Sequence, residues 1–440
     1  MGIENNSLTR GELLMNAVVF AAVSMILVVP RGPSILGIVL AAMGVLAFAQ
    51  KNAQLAWAWQ CPPVKHMALG AAFFVMVGIF LGIWYNAKLS YYETFAPFLI
   101  APLMLSGVLL SRLQPAVLWL GSATGALLAG VYASFQSLVL LTGRATGNMS
   151  HPIIFGDLAV VLSCIALFGV LYFDQARRTV WLRAYLLLGA SMGVWASLLS
   201  GTKGGWLSIV MFLIIFAWHI SAGKPFWARF AGFLGIVAVL INGVLWAPTE
   251  LVWDRLEGIW RHSQHWFETG EITDWSISIR LEMWSYALQL FAQRPILGWS
   301  GGVATAKLAE HLQAFNVPAS IPHVFENDLL HYAAVSGLLG LSSVLALYAG
   351  IFIGFWKFEK QSTLQTRSTF ALVGMLLVVL IFEFSLTCNV LGRSSFRYFF
   401  CEFTVILLGL MIMSAKEETS STWQDSFLNS SSRDAPRMRA

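Results

Sequence analysis

Apolar runs of about twenty residues recur along this chain from end to end, and no other feature constrains its fold as strongly. Twelve are legible, near 13–30, 34–50, 67–85, 94–112, 115–142, 152–173, 180–200, 204–221, 227–247, 325–356, 368–389 and 396–415. A helix of that length satisfies its own backbone hydrogen bonds while crossing the hydrocarbon core of a bilayer. Barrel strands would alternate apolar and polar side chains, and these runs do not. Composition agrees, because 58% of the 440 residues are hydrophobic and 11% charged, against about a quarter charged in a soluble domain. The predicted fold class is all-α: a polytopic membrane protein with about twelve transmembrane helices. The fifth and tenth runs exceed what a bilayer needs and are expected to tilt or project.

Lys and Arg set the orientation. With the N-terminus cytoplasmic, Arg10, Lys51, Lys65, Arg112, Arg177, Arg178, Arg183, Lys224, Arg229, Lys357, Lys360, Arg367 and Lys416 fall on that side, with Arg433, Arg437 and Arg439. The opposite side holds fewer, among them Arg31, Lys88, Arg144, Lys203, Arg393 and Arg397. Both termini are therefore expected in the cytoplasm. The Ser-rich stretch 416–440 is expected to be a disordered tail, and the N-terminal residues do not form a cleavable signal.

Residues 248–324 make one large outward loop with three helical pieces. In the first, Trp253, Leu256, Ile259 and Trp260 share a face suited to the membrane interface. In the second, Leu281, Trp284, Leu288 and Phe291 recur at helical spacing before Pro295 and Gly298. The third is "GVATAKLAEHLQAFNV". The chain thus divides into helices 1–9 over 1–247, an outward helical cap over 248–324, helices 10–12 over 325–415, and the tail.

The outward cations break the charge trend. Arg144 lies in "TGRATGNMSHP", Lys203 in "SGTKGGW", Arg280 in the loop, and Arg393 and Arg397 in "LGRSSFRYFF". Cations at helix ends commonly reach lipid phosphates. Five on one side, several beside small residues, also suit an anion such as a pyrophosphate. "SIPHVFENDLLHYAAVSGLLGL" crowds His323, Glu326, Asn327, Asp328 and His331 at the start of an apolar helix. If that helix begins early, His323, Asn327 and His331 share one face, and an imidazole accepts a proton near neutral pH. Asp157, Glu383 and Glu402 fall in or near apolar runs, where acids are functional candidates or structural partners.

Other chemistries are not signalled. Cys61, Cys164, Cys388 and Cys401 form no CxxC or Cys/His spacing, so neither a disulfide framework nor a metal site is expected. Walker A, DxD, GxSxG and HExxH motifs are absent, which argues against nucleotide-driven chemistry and serine hydrolysis. No nucleic-acid partner is indicated. Twelve spans also invite a transporter, but no internal repeat is visible and the polar groups gather at one face.

"SIRLEMWSYALQLFAQRPILGWSGG" followed by "HVFENDLLHYAAVSGLLGL" resembles the O-antigen ligase and polymerase superfamily. The pattern reads Arg280, Pro295, Gly298, Asn327, Gly337 and Gly340, with Lys203 at an upstream position that is usually Arg. Where the family often has His just before the Asn, this chain has Glu326. The resemblance implies a GT-C-like glycosyltransferase of the bacterial inner membrane, its active site facing the periplasm. It implies an undecaprenyl-pyrophosphate-linked glycan as donor, a lipid A–core sugar hydroxyl as acceptor, and no cofactor. Carried onto this chain, Arg280 and Arg144 hold the pyrophosphate, with Lys203, Arg393 and Arg397 in support. The base is His323, with His331 and Glu326 as alternatives, and Asn327 orients the base or the acceptor. Direct displacement with inversion is the simplest course. A polymerase, passing the glycan to another lipid-linked repeat, is the alternative.

Overall fold

The structure is a computed structural model, and it describes residues 8–49, 58, 61–173, 180–220, 225, 227, 230–231, 234, 249–318, 324–361 and 365–433. Among these residues every regular element is helical, with no strand. The helices are α1 (Arg10–Ser24), α2 (Gly32–Ala49), α3 (Pro62–Trp84), α4 (Ala96–Leu110), α5 (Pro115–Leu138), α6 (Pro152–Tyr172), α7 (Val180–Ser200) and α8 (Lys203–Ile220). They continue with α9 (Thr249–Thr269), α10 (Ser278–Gln293), α11 (Gly301–Gln313), α12 (Asp328–Gln361), α13 (Gln365–Ser385) and α14 (Ser394–Arg433).

Eight helical stretches among the described residues are long and apolar enough to cross a membrane, one of them running from Leu89 through short helical turns into α4 and ending at Leu110. They correspond to the third to seventh and the last three expected runs. α2 and α8 are apolar but shorter over their described apolar parts, Gly32–Ala47 and Leu207–Phe216, and α1 has 15 residues. The ninth run, 227–247, lies almost wholly outside the described residues. The helix starts follow from local chemistry. α3, α5 and α6 each begin with Pro, whose missing N–H has no partner to lose in a first turn. α1 begins with a capping box between Thr9 and Glu12. α14 runs on to Arg433, through residues that composition marks as a disordered tail. Strong helix formers around Lys416 and the two glutamates after it carry the last span onward.

One apolar core joins the membrane helices, with Phe155, Phe168, Phe355, Phe370 and Phe403 fully buried. Close backbone approach is frequent, and a Cβ on Gly350 of α12 would lie 3.0 Å from the Cα of Gly70 on α3. Small residues at such crossings are how apolar helices associate where lipid is as greasy as the neighbour. Leu69, Ile83 and Trp181 stand exposed, as lipid-facing positions should. A second, separate apolar cluster ties α10 and α11 to the start of α12, through Met283, Leu290, Leu308, Leu312, Phe325 and Ala334. On α9, Trp260 and Phe267 are exposed, while the side chains of Trp253 and Leu256 lie outside the description.

α12 is not one helix. At Gly337 the backbone takes φ 63° and ψ −158°, a region essentially restricted to glycine. The break frees backbone groups, and the turn after α10 takes them up. Trp299 and Ser300 donate their N–H groups to the carbonyls of Ala334 (3.1 Å) and Val335 (2.9 Å). Leu338 and Leu339 donate to the carbonyls of Pro295 (2.7 Å) and Ile296 (3.3 Å). The two segments interlock so closely that a Cβ at Gly298 would strike Val335 and Ser336, and one at Gly337 would strike Ile296. The Tyr85 hydroxyl donates to the carbonyl of Gly298 (2.9 Å) and fastens the same turn to the end of α3. Irregular backbone of this kind survives in a membrane protein only where protein satisfies it.

Candidate functional site

Several connections meet at one end of the bundle. The α5–α6 loop is clamped by Gln136, whose Oε1 accepts from the backbones of Thr146 (3.0 Å) and Gly147 (2.9 Å). Its Nε2 donates to the Gly147 carbonyl (3.0 Å). Asn148 of the same loop donates to the Val28 carbonyl between α1 and α2. Arg144, thus presented, donates its Nε to the Ser200 carbonyl (2.7 Å) and an Nη to that of Gly201 (3.4 Å). It grips the turn that carries Lys203. Behind that turn sits Asp157 of α6, 1% exposed. Gly205 lies so near that a Cβ there would be 3.2 Å from Asp157 Oδ1 and 2.8 Å from Ser197 Oγ. The "KGG" sequence therefore reads as a helix start pressed onto a buried acid. Glu383 of α13, hydrogen-bonded by Ser208 Oγ, is within electrostatic reach of Asp157.

The start of α12 docks on the α13–α14 turn. Asn327 caps the helix, its Oδ1 accepting from Leu330 N (3.0 Å), and its Nδ2 donates to the Leu386 carbonyl (2.9 Å). The Asp328 carboxylate accepts from Leu391 N (3.1 Å). Just before them Glu326 has φ 45°, rare for a residue with a side chain. Strain of this sort, on the order of 1–3 kcal/mol, persists where the surroundings enforce it and is common at working sites. Glu326 Oε1 accepts from Arg393 Nη2 (3.0 Å), and its buried Oε2 has no hydrogen-bond partner. Burial pushes the neighbouring Cys388 thiol up, so it stands there as a neutral group.

These pieces converge on His151, the N-cap of α6. Burial lowers the pKa of His151, and the positive charges of Arg393, Arg144 and Arg280 lower it further, opposed by Glu326. Arg280 and Arg144 also act on Asp157. Three of the expected cations, Arg144, Arg280 and Arg393, are therefore brought together. Arg280 itself makes no hydrogen bond or ion pair among the described residues. It is carried by the first turn of α10, whose start is fixed by Asp274. That carboxylate accepts from the backbones of Ser276 (3.0 Å), Ile277 (2.9 Å) and Ser278 (2.9 Å).

Other expected residues lie elsewhere. Arg397 is 6% exposed, donates to the Leu391 carbonyl (2.6 Å), and has Tyr332, Asp328 and Glu93 as its charged or titratable neighbours. His331 sits one turn into α12, between the rings of Phe325 and Tyr332, with its buried Nδ1 unpartnered. Since α12 starts at Asp328, the shared face expected for His323, Asn327 and His331 does not extend back to 323. His323 and the side chain of Lys203 lie outside the described residues, though the backbone of Lys203 opens α8. Glu402 is buried away from this cluster, beside Gly37. Among the described residues no three His, Cys, Asp or Glu side chains gather as a metal site would need. A separate cleft of about 430 Å³ is lined by Tyr85, Lys88, Ser90, Gly301, Gly302 and Ser336, among others.

The stretch from the middle of α7 into α12 carries the similarity. Residues 188–345 match the O-antigen ligase family. The resemblance read from the sequence motifs thus holds over this region, which contains the Lys203 turn, Arg280, the Pro295–Gly298 turn, Asn327 and Gly337. No curated protein matches the chain. The family's spaced prolines and glycines have a physical reading here. Pro295, Gly298 and Gly337 are the interlocked turn and helix break described above. The similarity supports an enzyme of the ligase or polymerase type, and the long apolar helices a multi-pass membrane protein. Arg144, His151 and Arg393 fall outside the matched region and are joined to it by folding alone.

His151 is the residue that sequence reasoning missed. Its one signal is a position just before Pro152 at a helix start, which suggests a cap and nothing more. Its proximity to Arg393 depends on how α6 and α14 meet.

Proposed function

We propose that this protein is an O-antigen ligase, transferring a glycan from undecaprenyl pyrophosphate to a sugar hydroxyl of lipid A–core. The observation that carries the reading is Arg280, a cation without a hydrogen-bonded or ionic partner among the described residues, which acts on His151 together with Arg144 and Arg393 at one end of an apolar bundle. Three arginines drawn from separate connections suit a pyrophosphate, with Glu326 paired to Arg393 and the buried Asp157 behind the Lys203 turn as the acids beside them. In our reading that end faces the periplasm of the inner membrane, both termini are cytoplasmic, and twelve helices span. Residues 248–324 form the cap and 416–440 the cytoplasmic end.

The acceptor hydroxyl oxygen attacks the anomeric carbon as the bond from that carbon to phosphate oxygen breaks. The bonding pair leaves with the pyrophosphate, where Arg280, Arg144 and Arg393 stabilise the growing charge, with Lys203 in support. The hydroxyl proton passes to His323, with Glu326 and His331 as the alternative bases. Trp284 holds this segment by donating its indole N–H to the Phe325 carbonyl (2.9 Å). Asn327 keeps the α12 start in place. Attack opposite the leaving group inverts the anomeric centre, and neither nucleotide nor metal is required.

Reconstitution tests this. Purified protein is mixed with a polyprenyl-pyrophosphate glycan and lipid A–core, with chelator and without nucleotide, and the products are separated on a gel. Joined product that disappears in Arg280→Ala and His323→Ala is expected. Longer lipid-linked glycan would make the protein a polymerase. No transfer by a folded, donor-binding protein would point to transport, and transfer surviving His323→Ala would move the base.

A further inference from the structure

The charges of Arg144, Arg280 and Arg393 all act on a side chain, His151, that neither the family motif nor the proposed mechanism uses. The His151 ring has a fixed orientation. Its Nδ1 accepts the backbone N–H of Ile153 at 3.2 Å, capping α6. A backbone N–H can only donate, so Nδ1 carries no proton and the neutral ring keeps its proton on Nε2. Nε2, at the far edge of the ring, has no hydrogen-bond partner among the described residues. The charged groups acting on the ring are Arg393, Arg144, Arg280 and Glu326.

We propose that His151 is a substrate-contacting residue, a neutral imidazole whose Nε2–H donates a hydrogen bond to the pyrophosphate of the lipid-linked donor. The inference rests on the donor site assigned above and adds a member to it. Protonating Nδ1 would set two N–H groups against each other at the helix start, so the ring is held out of the imidazolium form. Burial and the three cations act in the same direction. Such a ring is ill suited to serve as a base, because its free lone pair is already engaged. It can donate to phosphate oxygen without transferring a proton, and it adds a directional donor to arginines that supply mainly charge. The cap and the donor belong to opposite edges of one ring, so placing the helix start places the donor.

The two roles separate by substitution. Serine caps a helix as well as any residue, but its hydroxyl is too short to reach where Nε2 lies. Full-length protein in nanodiscs is titrated with undecaprenyl pyrophosphate bearing no glycan, with binding read by tryptophan fluorescence and folding by thermal melting. His151→Ser is expected to melt like wild type and to bind at least about tenfold more weakly, the worth of one hydrogen bond to a charged group. His151→Ala is expected to lose both affinity and melting temperature. His151→Ser binding within about twofold of wild type would overturn the inference and leave His151 as a cap. Wild-type protein that fails to bind the lipid at all would overturn the donor-site reading itself.

Discussion

Replacing Gly337 by alanine should unfold the α10–α12 junction, and the size of the effect can be worked from the backbone. The residue sits at φ 63°, ψ −158°, where an L side chain costs on the order of 1–3 kcal/mol even with room to spare. There is no room. The new Cβ would press on the Ile296 carbonyl and lie 2.7 Å from Leu297 N, and both obstacles are main chain. Relief requires the turn to withdraw, which breaks some or all of the four backbone hydrogen bonds between residues 295–300 and 334–339. At about 1 kcal/mol net for each, the combined loss with all four broken is roughly 5–7 kcal/mol, much of the stability of an ordinary domain. The assay is size-exclusion chromatography of a fluorescent fusion after heating in detergent. Gly302→Ala is the control, because a Cβ there meets nothing within 4 Å. Gly337→Ala should give little monodisperse protein, while Gly302→Ala should match wild type. Equal melting of the two would refute the claim that this turn and helix break support each other.

Three other outcomes follow from the same geometry. Arg144→Lys keeps the charge but lacks the planar fork that holds the Ser200 and Gly201 carbonyls, so the donor KM should rise at least about tenfold, with a lower melting temperature as well; an unchanged KM in the gel assay would contradict this. Gln136→Leu leaves the Thr146 and Gly147 N–H groups unpaired, which should cost about 2–4 kcal/mol and appear as a lower melting temperature. Asp274 is held below the ordinary carboxylate range: burial works against its ionisation, but backbone N–H groups at Ser278, Ile277 and Ser276 outweigh it. Its folded pKa is depressed, so its contribution is fully present above the usual 3.8 and is lost as pH falls through the folded-state value. The acid limb of a melting-versus-pH curve should therefore shift in Asp274→Asn, and coincident curves would count against the cap.

Much of the membrane domain was legible because a bilayer demands long apolar helices, and Pro62, Pro115 and Pro152 mark where three of them begin. The grouping of Arg144, Arg280 and Arg393 was foreshadowed by the one side of the membrane on which the charge pattern places all three. Their separation from Arg397 was not, since Arg393 and Arg397 lie one helical turn apart yet face different neighbours. The break in α12 was hidden for a similar reason. "SGLLGL" continues an apolar helical pattern, and only the turn opposite it shows why a glycine there leaves the helix. The role of His151 is a tertiary fact, invisible to spacing because its neighbours come from α10, the start of α12 and the α13–α14 turn.

The cation cluster has a consequence for biosynthesis. Arg144, Arg280 and Arg393 are contributed by widely separated connections, so they leave the ribosome far apart in time. A nascent chain inserted as far as α8 already carries the Arg144 loop and the turn it grips, but not the two cations that complete the cradle. The last of these arrives only with the final hairpin. On the proposed reading, a half-made protein in the bilayer lacks two of the three cations that hold the donor, and the completed bundle gains its capacity for the anion in the closing step of its own assembly.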